Sequence, residues 1–171
     1  MVGASRASPV HLADARDLGR RIAEVGWILL TGGRDAGVMA AATEGAKTVP
    51  GSLTVGILPE RDSAAAPGLD VVIVTGMGDA RNVINVLSSR VVVACGVEGA
   101  GTASEIALAL KSGVPVVLLR GHPEALALFG RLGRSLVHQA ASPDEAVRVI
   151  RDVLDVPPGP PWREGEKGEK G

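Results

Sequence analysis

Aromatic residues are the scarcest feature of this sequence: 171 residues include no tyrosine, one phenylalanine and two tryptophans. A pocket for a flat ring must therefore be walled by aliphatic side chains and backbone rather than by stacking partners. Cysteine is almost missing as well. The single Cys95 excludes an internal disulfide, and its position inside an apolar run marks it as core packing rather than a reactive thiol. Neither sign of charge dominates, since 18 Lys and Arg stand against 19 Asp and Glu for a net charge of −1. Electrostatic capture of nucleic acid or of an anionic membrane is thereby excluded. The apolar runs are only strand-length, so none spans a bilayer. Met1-Val2-Gly3 leads into a glycine turn without a basic and apolar leader, and a cytoplasmic location is expected. His11, His122 and His138 are scattered, with no acidic or thiol partner at ligand spacing, so no metal site is expected.

What the chain has is alternation. Ser8 as N-cap and Pro9 at the first helical position open a helix to Val25, followed by a strand at Trp27–Leu30. Thr31-Gly32-Gly33 then turns into a small-residue helix reaching Lys47, whose Ala40, Ala41, Ala42 and Gly45 suit close packing against a sheet. Strands are expected at 53–58 and 70–75, a helix at 80–89, and a buried strand at 91–95. A helix to Gly113, a strand at 114–119, a helix at 122–132, a short strand at 135–139 and a helix at 142–154 complete the order. Strand and helix alternate throughout, which predicts an α/β, Rossmann-like doubly wound sheet, mostly parallel, of six to seven strands with helices on both faces. Residues 1–155 form one domain. The remaining 156–171, rich in proline, glycine and charge, are expected to be disordered.

In such a sheet ligands sit at the carboxyl ends of the strands, near the point where the strand order reverses. Three loops lie at such ends: Thr31 to Gly37, Gly76 to Arg81, and Gly96 to Thr102. The last reads as a glycine-rich loop running into a helix, with Thr102 as N-cap and Glu105 three residues on, the spacing of a capping box. Free N–H groups and the positive helix end suit a phosphate there. The same glycines also serve a plain packing turn, and Glu105 and Arg81 read equally as a cap partner and a solvated helix residue.

Gly32-Gly33-x3-Gly37-Val38-Met39, Arg81 and Gly99-x-Gly101-Thr102-x-x-Glu105 together resemble the Lonely-Guy-type phosphoribohydrolases, formerly labelled lysine decarboxylases, and their molybdenum-cofactor carrier-like relatives. The resemblance covers roughly residues 3–154. It implies an enzyme that hydrolyses the N-glycosidic bond of a nucleoside 5′-monophosphate to free base and ribose 5-phosphate. Arg81 and Glu105 would then be catalytic, and Gly32, Gly33, Gly37, Met39, Gly99, Gly101 and Thr102 would bind phosphate or nucleotide. It implies a homodimer or a multiple of dimers, and no cofactor. A carboxylate at position 105 suits the chemistry, because glycosidic cleavage builds positive charge on the ribose. The old label fails, because pyridoxal phosphate needs a Schiff-base lysine. Before residue 156 the lysines are Lys47 and Lys111, both at the far ends of helices.

Two departures point toward the carrier-like branch, in which a phosphorylated pterin or nucleotide is bound without chemistry. The enzymes carry Pro-Gly-Gly-x-Gly-Thr, whereas Cys95-Gly96-Val97-Glu98-Gly99-Ala100-Gly101-Thr102 is one residue longer and adds the Glu98 charge. The enzymes also follow their arginine with lysine, where this chain has Asn82.

Overall fold

A computed structural model describes residues 1–155. The expected disordered tail at 156–171 lies outside the described residues. Seven strands and six helices follow in an order that alternates except between β3 and β4: β1 (Val2–Gly3), α1 (Pro9–Glu24), β2 (Leu29–Thr31), α2 (Gly37–Lys47), β3 (Thr54–Leu58), β4 (Val71–Val74), α3 (Arg81–Leu87), β5 (Val92–Cys95), α4 (Ala100–Lys111), β6 (Val116–Leu119), α5 (Pro123–Gly133), β7 (Val137–Ala140) and α6 (Pro143–Asp155). Every strand pair is parallel. The α/β, Rossmann-like reading holds, with one change. The strands form two sheets, β2-β3-β4 and β1-β5-β6-β7, rather than one continuous sheet.

The division follows from the first strand. With two residues, β1 pairs with Ala94 and Cys95 of β5 but is too short to make a ladder with β2 on its other side. A main-chain hydrogen bond from the Met1 nitrogen to the Leu30 carbonyl (2.6 Å) links the two sheets. Toward the amino ends of the strands the seam opens into an apolar groove of about 580 Å³ between Leu29 and Leu30 on one side and Val91 and Val93 on the other. The chain steps outward from β2 to β4, then returns beside β1 to start β5, so strand order reverses at β1.

Period-two alternation in the central strands separates two cores. Val93, Cys95, Val117 and Leu119 face α1, α2 and α6, while Val92, Ala94, Val116 and Leu118 face α3, α4 and α5. Burial pushes the Cys95 thiol up to about 12, so it stays protonated as a core side chain. The small residues of α2 do something other than expected. They let α2 cross α1, with Gly45 against the Arg16 carbonyl and Gly19 against that of Ala42, rather than only resting on the sheet. At the outer edge, all four residues of β4 are 42–47% exposed, and Val83 and Leu87 of α3 are exposed as well. No described helix is long and apolar enough to cross a membrane.

Candidate functional site

A cleft of about 330 Å³ opens at the carboxyl ends of the strands, where the order reverses. The β1–α1 turn contributes Gly3 to Arg6, the β2–α2 loop Gly32, Arg34 and Met39, and the turn before α3 Asp79, Arg81 and Asn82. The β5–α4 loop and first turns of α4 contribute Glu98, Gly99, Gly101, Thr102 and Glu105. Of the nine expected site residues, seven line this one cleft: Arg81, Glu105, Gly32, Met39, Gly99, Gly101 and Thr102. The other two do not line it and make close backbone approaches. Gly33 has φ +73° and packs on Gly56, where a Cβ would lie 3.0 Å from the Gly56 backbone. Gly37 has φ +52° and lies against the Ser5 backbone, where a Cβ would meet the Ser5 carbonyl carbon at 2.6 Å. Both glycines open the space in which the β1–α1 turn and the β3 backbone approach the loop.

The capping-box expectation is overturned. The N-cap of α4 is Gly99, with an extended backbone (φ −163°, ψ 160°) and no side-chain cap, so the helix begins two residues before Thr102. Two glycines in the preceding loop, Gly96 and Gly99, let the chain turn early, which places Thr102 and Glu105 inside the helix, one turn apart on its buried face. Thr102 and Glu105 are both buried and both line the cleft. The plain reading of Glu105 as a cap partner is thereby removed. The first-turn amides of α4 end at the cleft without a side chain closing them, an arrangement suited to an anion.

Arg81 is 7% exposed, and its Nε and Nη1 have no hydrogen-bond partner among the described residues. Its guanidinium lies over Gly32, where a Cβ would sit 2.8 Å from Nη2 and equally close to the Met39 sulfur. A side chain at position 32 would displace it. Burial lowers the Arg81 pKa, while Glu105 opposes that shift. Burial raises the Glu105 carboxyl, and Arg81 pulls it back. The pair therefore shares one desolvated site, each partner moderating the other's cost. Asn82 Oδ1 and Asn85 Oδ1 are buried without a partner as well, and a buried polar atom left so costs about 1–3 kcal/mol. Of these, Asn82 lines the cleft beside Arg81.

Two further findings change the sequence reading. His11 does have an acidic partner: its Nδ1 lies 2.9 Å from Oε1 of Glu98, 87 residues away. Among the described residues no group of three metal-capable side chains forms. Arg6 and Arg34 line the cleft with Arg81 and were not expected there. Arg6 follows a glycine-serine turn at a strand end, and Arg34 follows Gly32-Gly33, so both positions carried a usable signal.

Comparison with known proteins agrees with this architecture. A molybdenum cofactor binding protein from Rippkaea orientalis is 46% identical, with a TM-score of 0.84 over 89% of this chain and 93% of that one. The molybdenum cofactor carrier protein of Chlamydomonas reinhardtii is 47% identical, with a TM-score of 0.84 over 90% of this chain and 96% of its own. An uncharacterised protein of Archaeoglobus fulgidus is 42% identical over 120 residues, 70% of this chain and 78% of that protein. The resemblance to the Lonely-Guy-type fold and its carrier-like branch therefore stands, and with residues 1–147 matching its family description, the chain belongs to the SLOG cluster4 family.

Proposed function

We propose that the cleft binds a phosphorylated pterin of the molybdenum-cofactor type and acts as a carrier for it. The observation that carries this reading is the buried Arg81, which lines the cleft with two guanidinium nitrogens unpartnered among the described residues, beside the uncapped start of α4. A phosphate on the first-turn amides gains backbone hydrogen bonds and the favourable end of the helix dipole. Arg81 would hold a second polar group of the ligand, while Arg6 and Arg34 add positive charge at the rim. The cargo of two relatives of nearly the same length, both about half identical, favours a pterin over a nucleotide. Asn82 in place of lysine agrees with it.

The hydrolase reading keeps one specific support: Arg81 and Glu105 face the same cleft, and Glu105 is held above the ordinary carboxylate range by burial, as a proton donor would be. A paired measurement separates the two. The protein is incubated with molybdenum cofactor released from a molybdoenzyme and, separately, with a panel of nucleoside 5′-monophosphates analysed by chromatography. Retention of pterin fluorescence and molybdenum through gel filtration, with no free base formed, is the expected result. Catalytic release of base and ribose 5-phosphate would overturn the carrier reading in favour of the phosphoribohydrolase.

Assembly belongs to the same proposal. The exposed edge strand β4, and Val83 and Leu87 of α3, offer apolar surface that a second copy would cover, giving a dimer or a multiple of dimers. Light scattering at micromolar concentration should report at least twice the chain mass, and Leu87→Arg should return it to monomer. A monomer in the unaltered protein would sink this part.

A further inference from the structure

We infer that His11 is a positioning residue that ties the Glu98 carboxylate back and so keeps the start of α4 open to an anion; this rests on the reading that a phosphate occupies that helix start. The glycine loop carries a liability in Glu98, a carboxylate at the cleft wall directly before Gly99. A free carboxylate there would compete with a phosphate for the same amides and repel it. Instead, one oxygen of Glu98 is engaged at 2.9 Å by the His11 ring, which is 9% exposed. With Glu98 ionised, the contact requires the proton on Nδ1, the donor side of the imidazole.

The surroundings fix the ring in place. Gly96 has φ +66°, and a Cβ there would lie 2.6 Å from both Cε1 and Nδ1 of His11, so a glycine is needed for the ring to lie over the loop. The His11 amide donates to Ser8 Oγ, and its carbonyl accepts from the Cys95 thiol at 3.3 Å. One turn along α1, Asp14 is held by Arg120 from the end of β6. The helix that carries His11 is therefore anchored to both β5 and β6. Glu98 lines the cleft and is partly exposed, and its carboxylate is tied to this wall through His11.

The test uses AMP and inorganic phosphate as probes, titrated by calorimetry into full-length variants whose melting temperatures are recorded. His11→Phe keeps ring volume without the Nδ1 donor, and roughly tenfold weaker AMP binding is expected, a modest fraction of a full charge–charge repulsion at contact. His11→Asn, whose side-chain amide can replace that donor, should retain affinity. Glu98→Gln should tighten binding, and the double variant His11→Phe/Glu98→Gln should recover at least wild-type affinity. A double variant as weak as His11→Phe, or a His11→Phe variant with unchanged affinity, overturns the inference. Thr102→Val separates the two levels of argument. If it weakens binding while the His11 variants do not, the phosphate site stands and the positioning role falls. If the unaltered protein binds neither probe, both fall.

Discussion

Arg81→Ala is expected to weaken binding of the phosphorylated ligand by about a hundredfold, near 2.7 kcal/mol, the scale of a charge-assisted hydrogen-bond pair. The residue is buried with two donor nitrogens unpartnered, so the stabilisation they offer is available to a ligand without first breaking an internal bond. Arg81→Lys should recover only part of the loss, because a lysine keeps the charge but not the planar fork. The same substitution should change the pH dependence of stability. Burial raises Glu105 above its ordinary 4.5, and Arg81 is the first group that pulls it down. A carboxyl with a raised folded-state pKa binds more protons folded than unfolded, so stability falls as pH rises from 4.5 through the raised value. Removing Arg81 raises Glu105 further, and the fall should become steeper and extend to higher pH. Denaturant titrations between pH 4 and 8 would show it. Equal slopes in the two proteins would mean that the two side chains do not share a site.

Gly45→Ala should lower stability by about 3 kcal/mol or more, although alanine is normally the better helix former by about 1 kcal/mol. The added Cβ would lie 2.7 Å from the Arg16 carbonyl carbon, well inside contact, and a backbone group cannot rotate away. Relief requires α1 and α2 to separate, which also disturbs the matching contact of Gly19 with Ala42. A drop in melting temperature of roughly 6–12 °C is expected for a chain of this size. The Arg16–Glu44 ion pair (2.7 Å) spans the same crossing but is exposed, so Glu44→Ala should change the melting temperature little. A Gly45→Ala variant that melts with the unaltered protein would show that the crossing is looser than it looks.

The alternation of elements and the convergence of three loops on one rim were legible in the sequence, because they depend on local periodicity and on the rule that parallel strands present their carboxyl ends together. Seven of the nine site residues fell in the cleft for that reason. The errors share a different cause. Thr102 has the chemistry of an N-cap, yet Gly99 is the cap and helix α4 starts at Ala100, because the backbone freedom of the loop decided the start. Gly33 and Gly37 sit in the motif but serve close backbone approaches, which are not readable until the neighbouring chain is in place. The His11–Glu98 contact joins residues 87 positions apart. Spacing rules that search for ligands within one segment do not reach it. Gly45 was read as sheet packing and proved to be helix packing, a distinction that composition alone does not carry.

The seam between β2 and β1 divides the wall of the cleft between two sheets. The three-stranded piece presents the exposed β4 edge and holds Gly32 and Arg34, while the four-stranded piece holds Gly99, Gly101 and Thr102. The cleft straddles the seam, so a bound ligand touches both pieces and acts as a cross-link where backbone pairing is sparse. Binding there would favour the closed arrangement of both sheets by mass action. On the proposed reading, cargo would therefore stabilise the fold at the place where backbone pairing is thinnest.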